Sequence, residues 1–166
     1  MDNRLNELFV SMLNYYSNDP KRIQHFVKVN WFCKFIGFCE GMDKRELCQL
    51  GAAALVHDIG IKSAEEKYGK GNCGGKLQEQ LGVEPARKML EELGFDAQTV
   101  ERVCFLVSHH HTYDGIDSLD WQILVEADFL VNAYEDGMSV QAIRSFRDKV
   151  FKTKTGIEIL ETMFEK

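Results

Sequence analysis

The chain has 166 residues, 45% of them hydrophobic and 28% charged, with a formal charge of -6. That length fits one domain able to bury most of its apolar surface, and the composition excludes a disordered chain. The acidic balance excludes a nucleic-acid polymer as the main partner, because phosphate-backbone binding needs a basic surface.

No uncharged apolar run reaches the ~18 residues of a membrane span, so no membrane partner is expected. The opening Met-Asp-Asn-Arg-Leu-Asn-Glu lacks the basic-then-apolar pattern of a signal peptide. Five cysteines (Cys33, Cys39, Cys48, Cys73 and Cys104) are odd in number and form no CxxC pair. Reduced thiols in a cytoplasmic protein are expected, each a small core filler.

Apolar positions recur at helical spacing from the start. Leu5, Leu8, Phe9, Met12, Leu13 and Tyr16 form the stripe of a first helix. Pro20 opens a second helix that runs to about Glu40. Its apolar residues Ile23, Phe26, Val27, Phe32, Phe35, Ile36 and Phe38 fall on more than one side, which makes it central. Asp43 followed by Glu46 predicts a capping box for a third helix, with Gly60 as its stop. A short helix over Ser63–Tyr68 and a glycine-rich loop over 69–75 come next. The remaining predicted helices cover about Glu84–Leu93, with Pro85 at its start, then Asp96–His110, Ser118–Asp136, Ser139–Lys152 and Gly156–Phe164. No alternating strand pattern, internal repeat or linker interrupts them. The expected architecture is all-α, one compact multi-helix bundle over 1–166, with a core at about 20–136 and flanking helices at 1–17 and 139–165. The apolar first helix and the C-terminal helices are candidate homodimer faces.

Four places put ionisable groups on apolar stripes. His25 shares a face with Val29, Phe32 and Ile36. Asp58 continues the stripe Leu47-Leu50-Gly51-Ala54-Leu55 into the last turn of its helix, where the macrodipole disfavours a carboxylate by roughly 0.3–1 kcal/mol. A cation or strong donors must compensate its burial, and the neighbouring His57 is a ready metal ligand. Within Ile123–Val131, one of Glu126 and Asp128 must lie nearer solvent. Asp128 shares its face with Leu124 and Val131 and is the better candidate to point inward. Finally, His109-His110-His111 close a helix whose stripe is Val100, Val103, Cys104 and Val107. All five histidines of the chain lie at these places.

This pattern resembles the HD superfamily of metal-dependent phosphohydrolases. The resemblance runs from His25 through Ala53–Gly60 (AALVHDIG) and Val107–Gly115 (VSHHHTYDG) to Ile123–Asp128 (ILVEAD), about a hundred residues. It implies an all-helical HD domain in which His25, His57, Asp58 and Asp128 bind one divalent metal. Two nitrogen and two oxygen ligands with open positions suit Mn, Fe, Co, Ni or Mg better than a closed structural Zn site. The implied activity is hydrolysis of a small phosphorylated molecule, a phosphate ester such as a nucleotide, with Asp58 orienting the attacking water. Lys62 is similar in placement to a basic residue of related proteins, one position later than in the HD-GYP pattern, and is the second candidate catalytic residue.

His109-His110-His111 also resembles the paired-histidine segment of the binuclear HD-GYP branch. That implies a second metal on His109 and His110 bridged by Asp58, or a phosphate held by His109, His110 and His111. The branch has a further histidine between doublet and pair, whereas this chain has none between 57 and 109. Leu81 stands at that place, with Glu79 and Glu84 nearby. The GYP signature is absent, so a cyclic-dinucleotide substrate is not supported. The same ligand set also implies two other classes, a di-iron oxygenase and a non-catalytic metal-binding signalling domain.

Overall fold

A computed structural model describes residues 3–165, and every regular element among them is helical. The order is α1 (Arg4–Tyr15), α2 (Pro20–Cys39), α3 (Lys44–Val56), α4 (Gly60–Tyr68), α5 (Gly75–Glu92), α6 (Ala97–Val107), α7 (Leu119–Glu135), α8 (Val140–Val150) and α9 (Lys154–Phe164). The all-α architecture is therefore the one the periodicity predicts.

The helix starts follow local chemistry. Asp19 accepts from the Arg22 amide and Pro20 supplies a preset φ at the first helical position of α2. Asp43 caps α3 while the Glu46 carboxylate returns to the Asp43 amide at 2.8 Å, completing the expected capping box. Asp96, Ser139 and Thr153 cap α6, α8 and α9 through their side chains.

The central layer is α2, α3 and α7. Helix α2 packs along both α3 and α7, while α6 covers the other side of α3. Their shared core includes Val29, Cys33, Ile36, Leu50, Leu55, Val103, Leu106, Leu124 and Leu130, all buried. Helix α1 turns Leu8 and Met12 into this core. Cys33 and Cys104 fill core positions as expected, whereas Cys39 is exposed.

Two features differ from the sequence reading, and one contact explains both. Gly60 does not stop α3; that helix ends at Val56, and Gly60 opens α4. Helix α5 begins at Gly75, nine residues before the predicted start, and carries Pro85 in its interior. A Cβ at Gly60 would stand 2.7 Å from the Gly82 amide nitrogen, so the backbones of α4 and α5 meet there with no room for side chains. That packing, with Ala86 and Leu90 buried further along, holds one continuous helix. An internal proline costs about 3 kcal/mol, and tertiary contacts on both sides of Pro85 outweigh it.

Candidate metal centre

Two helices and one interhelical turn aim side chains at one point beneath the surface. His25 comes from the first half of α2, Asp128 from the middle of α7, and His57 and Asp58 from the tight turn between α3 and α4. Asp58 thus sits at a junction rather than in a last helical turn, and the Tyr16 hydroxyl fixes that turn by donating to the Asp58 carbonyl at 2.8 Å.

The distances are short. His25 Nε2 lies 3.2 Å from His57 Nε2, 3.1 Å from Asp128 Oδ1 and 3.4 Å from Asp58 Oδ2. His57 Nε2 lies 3.3 Å from Asp128 Oδ1 and 3.4 Å from Asp58 Oδ2. The structure therefore brings together His25, His57, Asp58 and Asp128. His110 joins them, its Nε2 3.3 Å from the other Asp58 oxygen.

The far side of each ring fixes which nitrogen faces the cluster. His57 Nδ1 donates to the Ala54 carbonyl at 2.8 Å, and His110 Nδ1 to the Val107 carbonyl at 2.7 Å. His25 Nδ1 donates to Glu135 Oε2 at 2.8 Å, and Lys28 holds the other Glu135 oxygen at 2.7 Å. Neutral imidazoles so arranged present three Nε2 lone pairs to carboxylate oxygens, which repel unless positive charge lies between them. His110 Nε2 is fully buried and has no hydrogen-bond partner. Leaving such an atom unpaired costs about 1–3 kcal/mol, so a buried orphan calls for an explanation. A cation bound by lone pairs supplies one.

The titration tendencies carry the same message. Burial pulls the His57 pKa down, but the Asp58 charge and the bonds to Asp128 and Asp58 outweigh it and hold it well above the ordinary value. Burial raises the Asp58 carboxyl, yet His57 and His110 bring it well below the usual carboxylate range. Asp128 is lowered for the same reason by His25 and His57. The cluster demands positive charge, which protons or a metal can provide.

Two ligand groups can be drawn from these residues, His25-His57-Asp58 and Asp58-His110-His111, with Asp58 shared. The second differs from the expected pair. His109 turns away: its ring stacks on Phe105 at 4.1 Å and lies edge-on to Trp121, while its Nδ1 donates to the Phe105 carbonyl. Helix α6 ends at Val107, so the three histidines follow a turn and not the helical stripe. His111 takes the place expected for His109. Its ring packs against Gly75, where a Cβ would come within 2.8 Å, and its Nε2 meets Gln78 Oε1 at 2.8 Å.

Other expectations also change. Lys62 donates to the Tyr15 carbonyl at 3.2 Å and its ammonium lies 4.7 Å from the Tyr15 ring centre, so it is tied to α1 and does not line the cavity over the cluster. Glu126 and Asp128 are both buried, 0% and 4% exposed, and neither lies nearer solvent. Glu126 is satisfied by Gln122, the Lys152 and Thr153 amides and the Thr153 hydroxyl, and so anchors the start of α9. Sequence reasoning missed Glu135, Gln78 and the role of Glu79. Glu79 is buried and accepts from the His111 amide and the Thr112 hydroxyl, both at 2.9 Å. A carboxylate two turns past Asp128 on α7 was the available signal for Glu135, but only the α2–α7 packing pairs it with His25.

A cavity of about 520 Å³ opens onto His25 and Asp58. Lys21, Arg22, Lys70, Cys73, Asn132 and Asp136 are among the residues around it. Its size is that of a small-molecule site, roughly 300–1,000 Å³.

Helices of this order, converging histidines and aspartates on one buried point, define an all-helical protein with a candidate divalent-metal centre. The HD domain family matches residues 22–139, and the chain belongs to that family. A solved structure that the chain resembles is a predicted HD superfamily hydrolase from an uncultured Thermotogales bacterium. It is 27% identical, with a TM-score of 0.66, over 95% of this chain and 83% of the other. No curated protein matches the chain. No helix among the described residues is long and apolar enough to cross a membrane.

Proposed function

We propose that this protein is a metal-dependent phosphohydrolase acting on a small phosphate ester, with nucleotides among the candidate substrates. The observation that carries the reading is the buried His25-His57-Asp58-Asp128 cluster, extended by the orphaned His110 Nε2, at the floor of a small-molecule cavity. Its resemblance to a protein described as a predicted HD superfamily hydrolase supports the hydrolytic class.

His25, His57, Asp58 and Asp128 are the residues that would hold the ion. A bound divalent ion supplies Lewis acidity toward phosphoryl oxygens and lowers the pKa of water. The protein's own groups do the rest. Glu135 and Ala54 O fix the tautomers of His25 and His57, so both rings present Nε2 inward. Asp58 faces both ligand groups with different oxygens, and in this reading its carboxylate would orient the attacking water. The apolar walls of α3, α6 and α7 limit water to the side of the cavity.

The Asp58-His110-His111 group favours a second reading for the number of ions, two bridged by Asp58. With iron in both places, a di-iron oxygenase is the competing chemistry. Elemental analysis coupled to assays on nucleotides and sugar phosphates tests the proposal, with O₂ uptake measured alongside. Metal-free protein with full hydrolytic activity overturns it. Bound iron with O₂-dependent turnover favours the oxygenase, and bound metal without any turnover favours a signalling domain.

A further inference from the structure

We propose that Lys21 and Lys70 select substrates carrying a second phosphoryl group beside the one hydrolysed. The inference rests on the phosphohydrolase reading and names the substrate class of the same site. Its basis is two lysine ammonium groups without ion-pair partners among the described residues, at the opening of the cavity over His25 and Asp58.

Most charged groups at the opening are already matched. Arg22 is held by Asp19 at 3.0 Å and by Glu65 at 2.7 Å. Glu135 is held by Lys28 and His25. Lys21 and Lys70 also line the cavity, and among the described residues no ion pair or hydrogen bond engages either ammonium. The same lining carries the carboxylates Asp19, Asp58, Glu65, Glu135 and Asp136, so Lys21 and Lys70 are the two cations there left free to meet an anion. Asp136, at the end of α7, is the unmatched carboxylate at the same opening.

Their placement is graded from the centre. Lys21 precedes His25 by one turn of α2, about 6 Å along the axis and on the same side of the helix. Lys70 lies in the loop between α4 and α5, flanked by Gly69 and Gly71 at φ of 86° and 83°. Both lysines are exposed whereas His25 is buried, so their ammonium groups stand outside the position a scissile phosphoryl group would take at the His25–Asp58 floor. They can meet an anion attached one group further out, as in a diphosphate or a bisphosphate ester. A lysine ammonium is a point charge suited to phosphate without a fixed fork geometry.

The test is calorimetric titration of the metal-loaded protein with orthophosphate and with pyrophosphate, in excess metal ion. The wild type should bind pyrophosphate at least about tenfold more tightly, the worth of one charge-assisted contact. In Lys21→Ala/Lys70→Ala the two affinities should converge. Lys21→Arg/Lys70→Arg should retain the preference, which separates charge from a structural role. A preference that survives the double alanine substitution, including one caused by pyrophosphate seizing the metal, overturns the inference. Hydrolysis of phosphate esters with equal affinity for the two anions overturns it while leaving the phosphohydrolase reading intact. If neither anion binds and no phosphate ester is hydrolysed, both fall together.

Discussion

Replacing Asp58 by Asn keeps the shape of the side chain but removes the charge that faces three imidazole nitrogens at 3.3–3.4 Å. An ion that binds only the folded protein stabilises it by about 2.7 kcal/mol when present at about 100 times its Kd. In a domain of this length each kcal/mol moves Tm by roughly 2–4 °C, so metal should raise the wild-type Tm by roughly 5–11 °C. Loss of a residue that merely orients a ligand weakens metal binding about 10–100-fold, and loss of a shared ligand should reach at least about 100-fold. At the same metal concentration Asp58→Asn then stands near its own Kd, where binding contributes about 0.4 kcal/mol and a Tm gain of about 1 °C. Thermal unfolding of both proteins, with Mn²⁺ and with a chelator, measures the difference, and circular dichroism checks that the helices persist. A wild type unmoved by metal, or a variant that gains as much as the wild type, refutes the metal centre as built from these residues.

Glu135→Gln removes the carboxylate behind His25 Nδ1 and should weaken metal binding about tenfold with helicity unchanged; equal affinities in a metal titration would show that Glu135 orients nothing. Gly60→Ala should destabilise by about 1–3 kcal/mol, because its Cβ meets the backbone of Gly82. Gly51→Ala should instead stabilise by about 0.5–1 kcal/mol, since its Cβ finds Leu5 and Asn30 at 3.4–3.5 Å, ordinary contact for a helix interior. Urea midpoints in the reverse order would contradict the close approach of α4 and α5. Lys62→Ala should leave kcat unchanged and remove only the ties to Tyr15, about 0.5–1 kcal/mol of stability; a collapse of kcat would restore Lys62 to the reaction.

Residues fixed by local chemistry were legible in the sequence. The capping box at Asp43 and Glu46, Pro20 at the head of α2 and the apolar periodicity define helices through short-range bonds and spacing alone. The candidate ligands were legible for a related reason. His25, Asp58 and Asp128 continue apolar stripes, and a titratable group on a buried face needs a partner. What failed depended on partners far away in sequence. Pro85 reads locally as a helix start, yet the Gly60–Gly82 contact carries α5 straight through it. Glu126 reads as the acid nearer solvent, yet Gln122 and the backbone at 152–153 satisfy it in full burial. His109 and His111 are indistinguishable by type and spacing. Only the Phe105 and Trp121 rings, which take His109, and the bare Gly75 backbone, which admits His111, decide between them. The sequence by itself determined an all-helical chain and the residue types of a metal-binding cluster, because periodicity and burial of charge are local signals. The tertiary structure alone decided which nitrogens face the cluster, which histidine joins Asp58 and which cations border the cavity, because those depend on how α2, α5 and α7 pack around the turn at His57 and Asp58.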